Sequence, residues 1–305
     1  MLDVRRLRVL LAVAEHGGVA AAARALSFTA PAVSQQLAAL ERQLDVALVD
    51  RSGRTAVLTA PGQRLAEQAR TVLALLEAAE ADLADHTGAP RGVLRIGSAP
   101  TLGRALLPGV LARLAVVAPQ VDLRIEQLEP EDSLVALARG DLDLALAGEY
   151  ALTPRRAQVG VERLDLVTEP VHVAVHAGHP LADGHEVHLS DLRTERWIAP
   201  ATGSSCALLL ERSCAIAGYE PHVVARCADF AMAAALVAAG HGVTLLPACA
   251  ATDPPPQVRL LQALDPPIHR TLYAATRPGT RRHPLLAYLL DALAAQAQHL
   301  PVVVT

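Results

Sequence analysis

Along the first third of the chain, apolar positions recur at helical spacing. Between Asp3 and His16, Leu7, Leu10, Leu11 and Ala14 fall on one stripe, which predicts a helix stopped by Gly17-Gly18. Ala20 to Leu26 is rich in strong helix formers. Ser27-Phe28-Thr29 interrupts it before a further helix restarts, with Thr29 as N-cap and Pro31 in the first turn. On that helix Val33, Leu37 and Leu40 share an inner face, while Ala30, Ser34 and Gln35 turn outward. A helix-turn-helix spanning Val19 to Ala38, with small and amide side chains on its second helix, has the geometry of a major-groove reader. Arg51-Ser52-Gly53-Arg54-Thr55 then reads as a two-stranded wing, with Arg51 and Arg54 reaching phosphates or a minor groove. From about Pro61 to His86 one uninterrupted helix is predicted. In it Leu65, Ala69, Val72, Leu76, Ala79 and Leu83 recur by steps of four and three, as in a dimerising heptad seam. Gly88-Ala89-Pro90-Arg91-Gly92 marks a hinge after it.

Beyond Val93 the period shortens to apolar strands alternating with helices, which predicts βαβ units around a parallel sheet. Val93 to Ile96, Val121 to Ile125 and Leu142 to Ala147 are strands, and Leu106 to Val117 and Leu134 to Arg139 are helices. Ser98 to Thr101 is a loop. A second set starts near Val161, with strands at Val171 to Val175, Trp197-Ile198, Val223-Val224 and Val243 to Leu246. Its helices are Ser204 to Ala217 and Phe230 to Ala239. In such sheets ligands bind beyond the carboxyl ends of strands, where helix N-termini present free N–H groups. Ser98, Ala99, Pro100 and Thr101 from the first set, and Thr202 and Ser204 from the second, are the candidate ligand contacts; hydroxyls there both cap helices and suit a small anion. Phe230 is a candidate apolar wall or a core residue.

The chain resembles the LysR-type transcriptional regulators at Ala23, Leu26, Pro31-Ala32-Val33-Ser34, Leu40-Glu41, Leu44, Leu48, Arg51, Thr59 and Gly62. The resemblance continues at His179-Pro180-Leu181 and from Gly240 to Pro247. Asp45 stands for the family's usual glycine and Val49 for its phenylalanine, while Ala30 and Gln35 replace the common Gln and Arg. The resemblance implies an all-α winged helix-turn-helix over residues 1–58 and a dimerisation helix over 59–88. A two-lobed α/β domain of the type 2 periplasmic-binding-protein kind follows over 89–305, with lobe I at about 92–160 and 269–300 and lobe II at about 161–268. It also implies promoter DNA and a small anionic effector as partners, dimers pairing into a tetramer, and contact with RNA polymerase. Cys214, four residues before Gly218, resembles the resolving cysteine of the family's peroxide-sensing branch. Ser205 stands where the reactive one is expected, with Cys206 one position late, and this leaves a thiol redox sensor as the alternative.

Charge sharpens this division. The net charge of −4 hides a basic end: residues 1–58 carry about +2 and the remainder about −6, as fits a DNA-docking unit on an acidic body. All 27 basic residues are Arg, a bias that fits GC-rich coding. A small-molecule-binding protein without a DNA role, or an enzyme, is the remaining class. Yet GxSxG, Walker, HExxH and dinucleotide signatures are missing. The histidines His172, His176, His179, His185 and His188 match no common zinc spacing, so neither metal nor cofactor is expected. The uncharged run Phe230 to Thr252 is broken by Gly240, Gly242 and Pro247, which suits a buried helix and strand rather than a membrane span. Four Cys without framework spacing and no secretory start point to the cytoplasm.

Overall fold

A computed structural model describes residues 2–51, 56–85, 92–153 and 160–300. Helices α1 (Val4–His16), α2 (Val19–Ala25) and α3 (Ala30–Leu44) precede the antiparallel pair β1 (Val49–Asp50) and β2 (Val57–Leu58). Local chemistry sets these bounds. The Asp3 carboxylate accepts from the Arg5 N–H at the start of α1, and Gly17, at φ 72°, ends it in the left-handed region. Thr29 caps α3, and Asp45 closes it at φ 52°, a conformation that Asp tolerates better than most residues. Val33, Leu37 and Leu40 pack on Leu10, Val13, Ala22 and Ala23. The buried face of α1 is wider than the predicted stripe: Val9, Ala12 and Val13 are buried, whereas Leu11 and Ala14 are half-buried. The cause is that α1 lies against α2 and α3 and also against α4 (Ala60–Asp85).

Helix α4 divides its apolar positions. Ala66, Ala69 and Leu73 are buried within the chain, and Leu65 packs on the helical core. Val72, Leu75, Leu76 and Ala79 are exposed. Ala69 therefore belongs to the intramolecular contact rather than to a free seam, because small side chains let α1 approach. The side chain of Leu83 lies outside the described residues.

The remaining chain forms β3 (Gly92–Ser98), α5 (Pro100–Val117), β4 (Val121–Gln127), α6 (Pro130–Arg139), β5 (Leu144–Tyr150), β6 (Glu162–His176) and β7 (Glu186–Val187). Then come β8 (Arg196–Ala199), α7 (Ser205–Ile216), β9 (His222–Arg226), α8 (Phe230–Ala238), β10 (Thr244–Pro247), β11 (Val258–Ala263), β12 (His269–Thr276) and α9 (Pro284–Ala297). One eight-stranded sheet runs β4-β3-β5-β12-β6-β11-β7, with β10 also on β6; β8 and β9 pair separately. Only part of it is parallel. β3 lies parallel to β4 and β5, and β8 to β9, but β12 is antiparallel to β5 and β6, and β6 is antiparallel to β10 and β11. The expected all-parallel arrangement fails because β6 is one strand serving both lobes. Its residues 162–170 pair with β12 and residues 171–176 with β10 and β11, so the expected division near 161 falls at the start of a continuous strand. Pro170, which donates no hydrogen bond, sits where the partners change. The two largest cores centre on Leu102, Leu106, Leu144, Leu272 and Leu289 and on Val173, Trp197, Leu209, Leu245 and Leu261; smaller ones surround Ile198 with Val237 and Leu137 with Leu142.

Candidate functional site: an exposed recognition helix and an interlobe cleft

On α3, Pro31 and Gln35 are exposed, as an outward face requires, whereas Ser34 is half-buried. Thr29 is exposed, but its Oγ1 accepts from the Ala32 N–H at 3.4 Å. Ala30 departs from the expectation: it is half-buried and packs on the helical core. Gln36, exposed beside Gln35, joins the outward amides and went unnoticed in the sequence because it breaks no pattern. Arg51 is tied at the root of the wing by an ion pair with Glu41 at 3.0 Å. The Glu41 carboxylate also accepts from the Leu48 and Val49 N–H groups at 2.9 and 3.0 Å. Burial alone would raise its pKa, yet the hydrogen bonds from Arg51, Leu48 and Val49 bring it below the usual glutamate value. Arg54 lies outside the described residues.

Between the lobes lies a cleft of about 550 Å³. Its lining includes Ala99, Pro100, Thr101, Ser204 and Phe230, five of the seven expected contacts. Ser98 and Thr202 are not in it. Ser98 is buried behind the wall, under α5 next to Gly103, with its Oγ donating to the Ala99 carbonyl at 3.0 Å. Thr202 is exposed in the turn before α7. The expected loop Ser98 to Thr101 also shrinks, because Pro100 occupies the first turn of α5 and draws Thr101 into the helix. Ser204 caps α7: its Oγ accepts from the Ala207 N–H at 3.1 Å and donates to the Ala201 carbonyl at 2.7 Å. Phe230 does both things expected of it, lining the cleft while packing on the lobe II cores.

The floor of the cleft is a side chain that sequence reasoning missed. Arg270 of β12 is 4% exposed and lies opposite Glu169 of β6 in register. Its Nε donates to Glu169 Oε1 at 2.8 Å, Nη2 donates to the same carboxylate, and Nη2 also reaches Cys249 Sγ at 3.0 Å. Glu169, fully buried, takes a further 2.7 Å bond from the Cys249 N–H. Burial works against the Arg270 charge, but Tyr150 and Glu169 more than offset it and the group remains a cation. Among the described residues its Nη1 meets two hydroxyls at the limit of hydrogen bonding, Thr101 Oγ1 at 3.4 Å and Tyr150 OH at 3.5 Å. Gly148 of β5 makes room for this guanidinium, since a Cβ there would stand 2.9 Å from Arg270 Cδ. The available sequence signal was Arg270 at the head of the apolar run Leu272 to Ala275; Glu169 is hidden among the other charges of β6.

The lining also carries Arg104, Glu129, Glu131 and Asp229. Ser205 Oγ donates to Glu131 Oε1 at 2.7 Å, a hydrogen bond from α7 of lobe II to α6 of lobe I. A neighbouring cavity of about 340 Å³ shares Glu131, Ser204 and Ser205 with the cleft. Cys206 lines the cleft and Cys214 is buried on the same helix; burial pushes each thiol up to about 11. Cys249 is likewise pushed up to about 11 by burial. Among the described residues no three His, Cys, Asp or Glu side chains gather as metal ligands; His179 faces Glu195 and His188 faces Asp265.

An exposed helix-turn-helix joined by a long helix to a two-lobed ligand-binding domain defines an effector-controlled transcription regulator. The comparisons agree: residues 4–63 match the bacterial regulatory helix-turn-helix protein, lysR family, and residues 87–298 match the LysR substrate binding domain. The chain belongs to the LysR family of DNA-binding transcriptional regulators, whose members are regulatory proteins rather than enzymes. It is 29% identical over 303 residues to the hydrogen peroxide-inducible genes activator of Dickeya chrysanthemi, covering 97% of this chain and 96% of that protein. Against the transcriptional dual regulator GltC of Bacillus subtilis it is 30% identical over 272 residues, covering 89% of each. A full-length OxyR variant from Pseudomonas aeruginosa has the same fold, with a TM-score of 0.69, 23% identity and 98% coverage of both chains.

Proposed function

We propose that a small molecule carrying an anionic group binds in the cleft between Thr101, Ser204, Phe230 and Arg270, and that its binding changes how the recognition helices sit on promoter DNA. The observation that carries this reading is the buried Arg270 guanidinium, which lines the cleft near the N-terminus of α5 and whose Nη1 has, among the described residues, two long hydroxyl contacts. A ligand touching both lobes closes them, and closure that is transmitted through a dimer shifts the spacing of its DNA-binding units. Gln35 and Ser34 read bases, and Arg54 meets phosphates. Arg51, held by Glu41, braces the wing.

Dimers form through the exposed Val72, Leu76 and Ala79 of α4. Exposed apolar residues on both lobes, Val116, Val117 and Ile125 on lobe I and Ile216, Val224 and Met232 on lobe II, suit a second contact that builds the tetramer. The protein works in the cytoplasm and acts on RNA polymerase at its promoters.

Peroxide regulators among the relatives raise the redox alternative. Ser205 at the expected reactive position, and Cys206 and Cys214 thiols held protonated by burial, favour the ligand reading instead. Genome-wide footprinting of the full chain beside Thr101→Ala tests the proposal. Discrete promoter sites are expected, whose flanking genes respond to growth condition with the wild type and not with the variant. Uniform occupancy, or an unchanged response in the variant, contradicts it; a response to peroxide alone that Cys214→Ser removes installs the redox reading.

A further inference from the structure

Four helices begin at the cleft: α5, α6, α7 and α8. Their N-termini are not equivalent. Asp229 caps α8 by accepting from the Ala231 N–H at 2.9 Å, Ser204 caps α7, and Glu131 and Asp132 sit in the first turn of α6. Helix α5 has no such answer. Its N-cap is Ala99, its first turn holds no acid, and the groups beside it are Thr101 and the Arg270 guanidinium. A helix N-terminus, a buried guanidinium and a hydroxyl together make a receptor for a carboxylate.

The same lining carries the opposite chemistry. Glu129 occupies the N-cap position of α6, but its carboxylate makes no capping bond, unlike that of Asp229. It stands at the cleft with Glu131, and desolvation by the surrounding protein, with Glu131 beside it, pushes its carboxyl above the usual glutamate value while Arg270 pulls it down. Glu131 is already engaged by Ser205 and Arg270 is already matched by Glu169, so Glu129 and Asp229 stand in the lining against Arg104. A ligand that is only an anion meets this excess of negative charge. One that is only a cation leaves Arg270 and the α5 terminus unanswered.

We propose that the cleft binds an amino carboxylate, with its carboxylate held by Arg270, Thr101 and the N-terminus of α5 and its ammonium group held by Glu129. This rests on the cleft being the effector site, and it narrows the effector from an anion to a zwitterion. Phe230 lies in the same lining and offers an apolar surface to the rest of the molecule.

Calorimetric titration and thermal shift of the full chain test it with the proteinogenic L-amino acids, each beside its deaminated acid and decarboxylated amine, such as phenylalanine with 3-phenylpropionate and phenethylamine. At least one amino acid should bind, and each of its two fragments should bind about tenfold or more weakly, the loss expected for one charge-assisted contact. Glu129→Gln, at an exposed position that folding tolerates, should erase the preference by weakening the amino acid about tenfold and strengthening the acid fragment. A panel without a binding amino acid, an acid fragment that binds as tightly as its parent, or an unchanged preference in Glu129→Gln overturns the zwitterion and leaves the cleft reading standing. Binding that Thr101→Val does not alter places the ligand elsewhere and overturns both.

Discussion

The recognition unit and the cleft floor are assembled over very different distances along the chain. Everything that shapes α3 lies within it or beside it: the Thr29 cap, the Val33, Leu37 and Leu40 face, the left-handed Asp45, and Glu41 gripping the wing root. The cleft floor instead gathers Thr101, Tyr150, Glu169, Cys249 and Arg270, with the members of its central ion pair 101 positions apart. Local construction lets the DNA-reading surface vary one side chain at a time. The cleft floor, built on β6 and β12, ties ligand chemistry to the strands that join the two lobes.

That contrast is broken most severely at Arg270. Arg270→Met leaves the Glu169 carboxylate buried without its partner and should cost about 3–5 kcal/mol in chemical denaturation, confined to the two-lobed domain. A loss no larger than that of a surface substitution shows that the pair does not hold the lobes. At the recognition unit the counterpart is Glu41→Gln, which weakens three hydrogen bonds to a charged acceptor at a largely buried site; a loss of about 1.5–3 kcal/mol is expected, with weaker DNA binding. Because the folded pKa of Glu41 is lowered, its contribution is present above the ordinary value of 4.5 and fades as the pH falls through the lower folded value. Wild type and Glu41→Gln should therefore converge in stability in that acid range, and a constant gap down to full protonation removes the charge from the explanation. The smallest effect belongs to the exposed face: Gln35→Ala should lose about 1–3 kcal/mol on the cognate site and little on random duplex. Equal losses on both reduce Gln35 to positioning.

Legibility in the sequence follows the same division. Thr29, Asp45 and Ser204 announce helix ends because capping is a short-range hydrogen bond, and the Phe230 to Thr252 run resolves into α8 and β10 because glycine and proline punctuate it. Strand β6 was seen only as Val171 to Val175. Its first half alternates too many charges, among them Arg163, Asp165 and Glu169, to read as a strand; Arg163 pairs with Asp165 on the same strand and with Glu149 of β5, while Glu169 is answered by Arg270 far along the chain. Ser98 and Thr202 looked equivalent to Thr101 and Ser204 in a list of hydroxyls. Only the turn of the chain decides which faces the cleft, and the start of α5 at Pro100 moves Thr101 in while Ser98 stays underneath. The ion pair of Arg51 with Glu41, ten residues earlier, was not legible either, because nothing in the sequence shows that the chain curls back to bring the two together.

The claim that the cleft governs DNA reading is tested most directly on a single duplex. Selection from a random library with the full chain should first yield an inverted repeat, as a symmetric dimer requires. DNase footprints on that duplex are then compared with and without the amino acid that binds most tightly, for the wild type and Thr101→Ala. The account predicts that the ligand changes the length or phasing of the wild-type footprint and leaves that of the variant as it was. A ligand that binds the wild type without altering its footprint, or that alters both footprints alike, contradicts it.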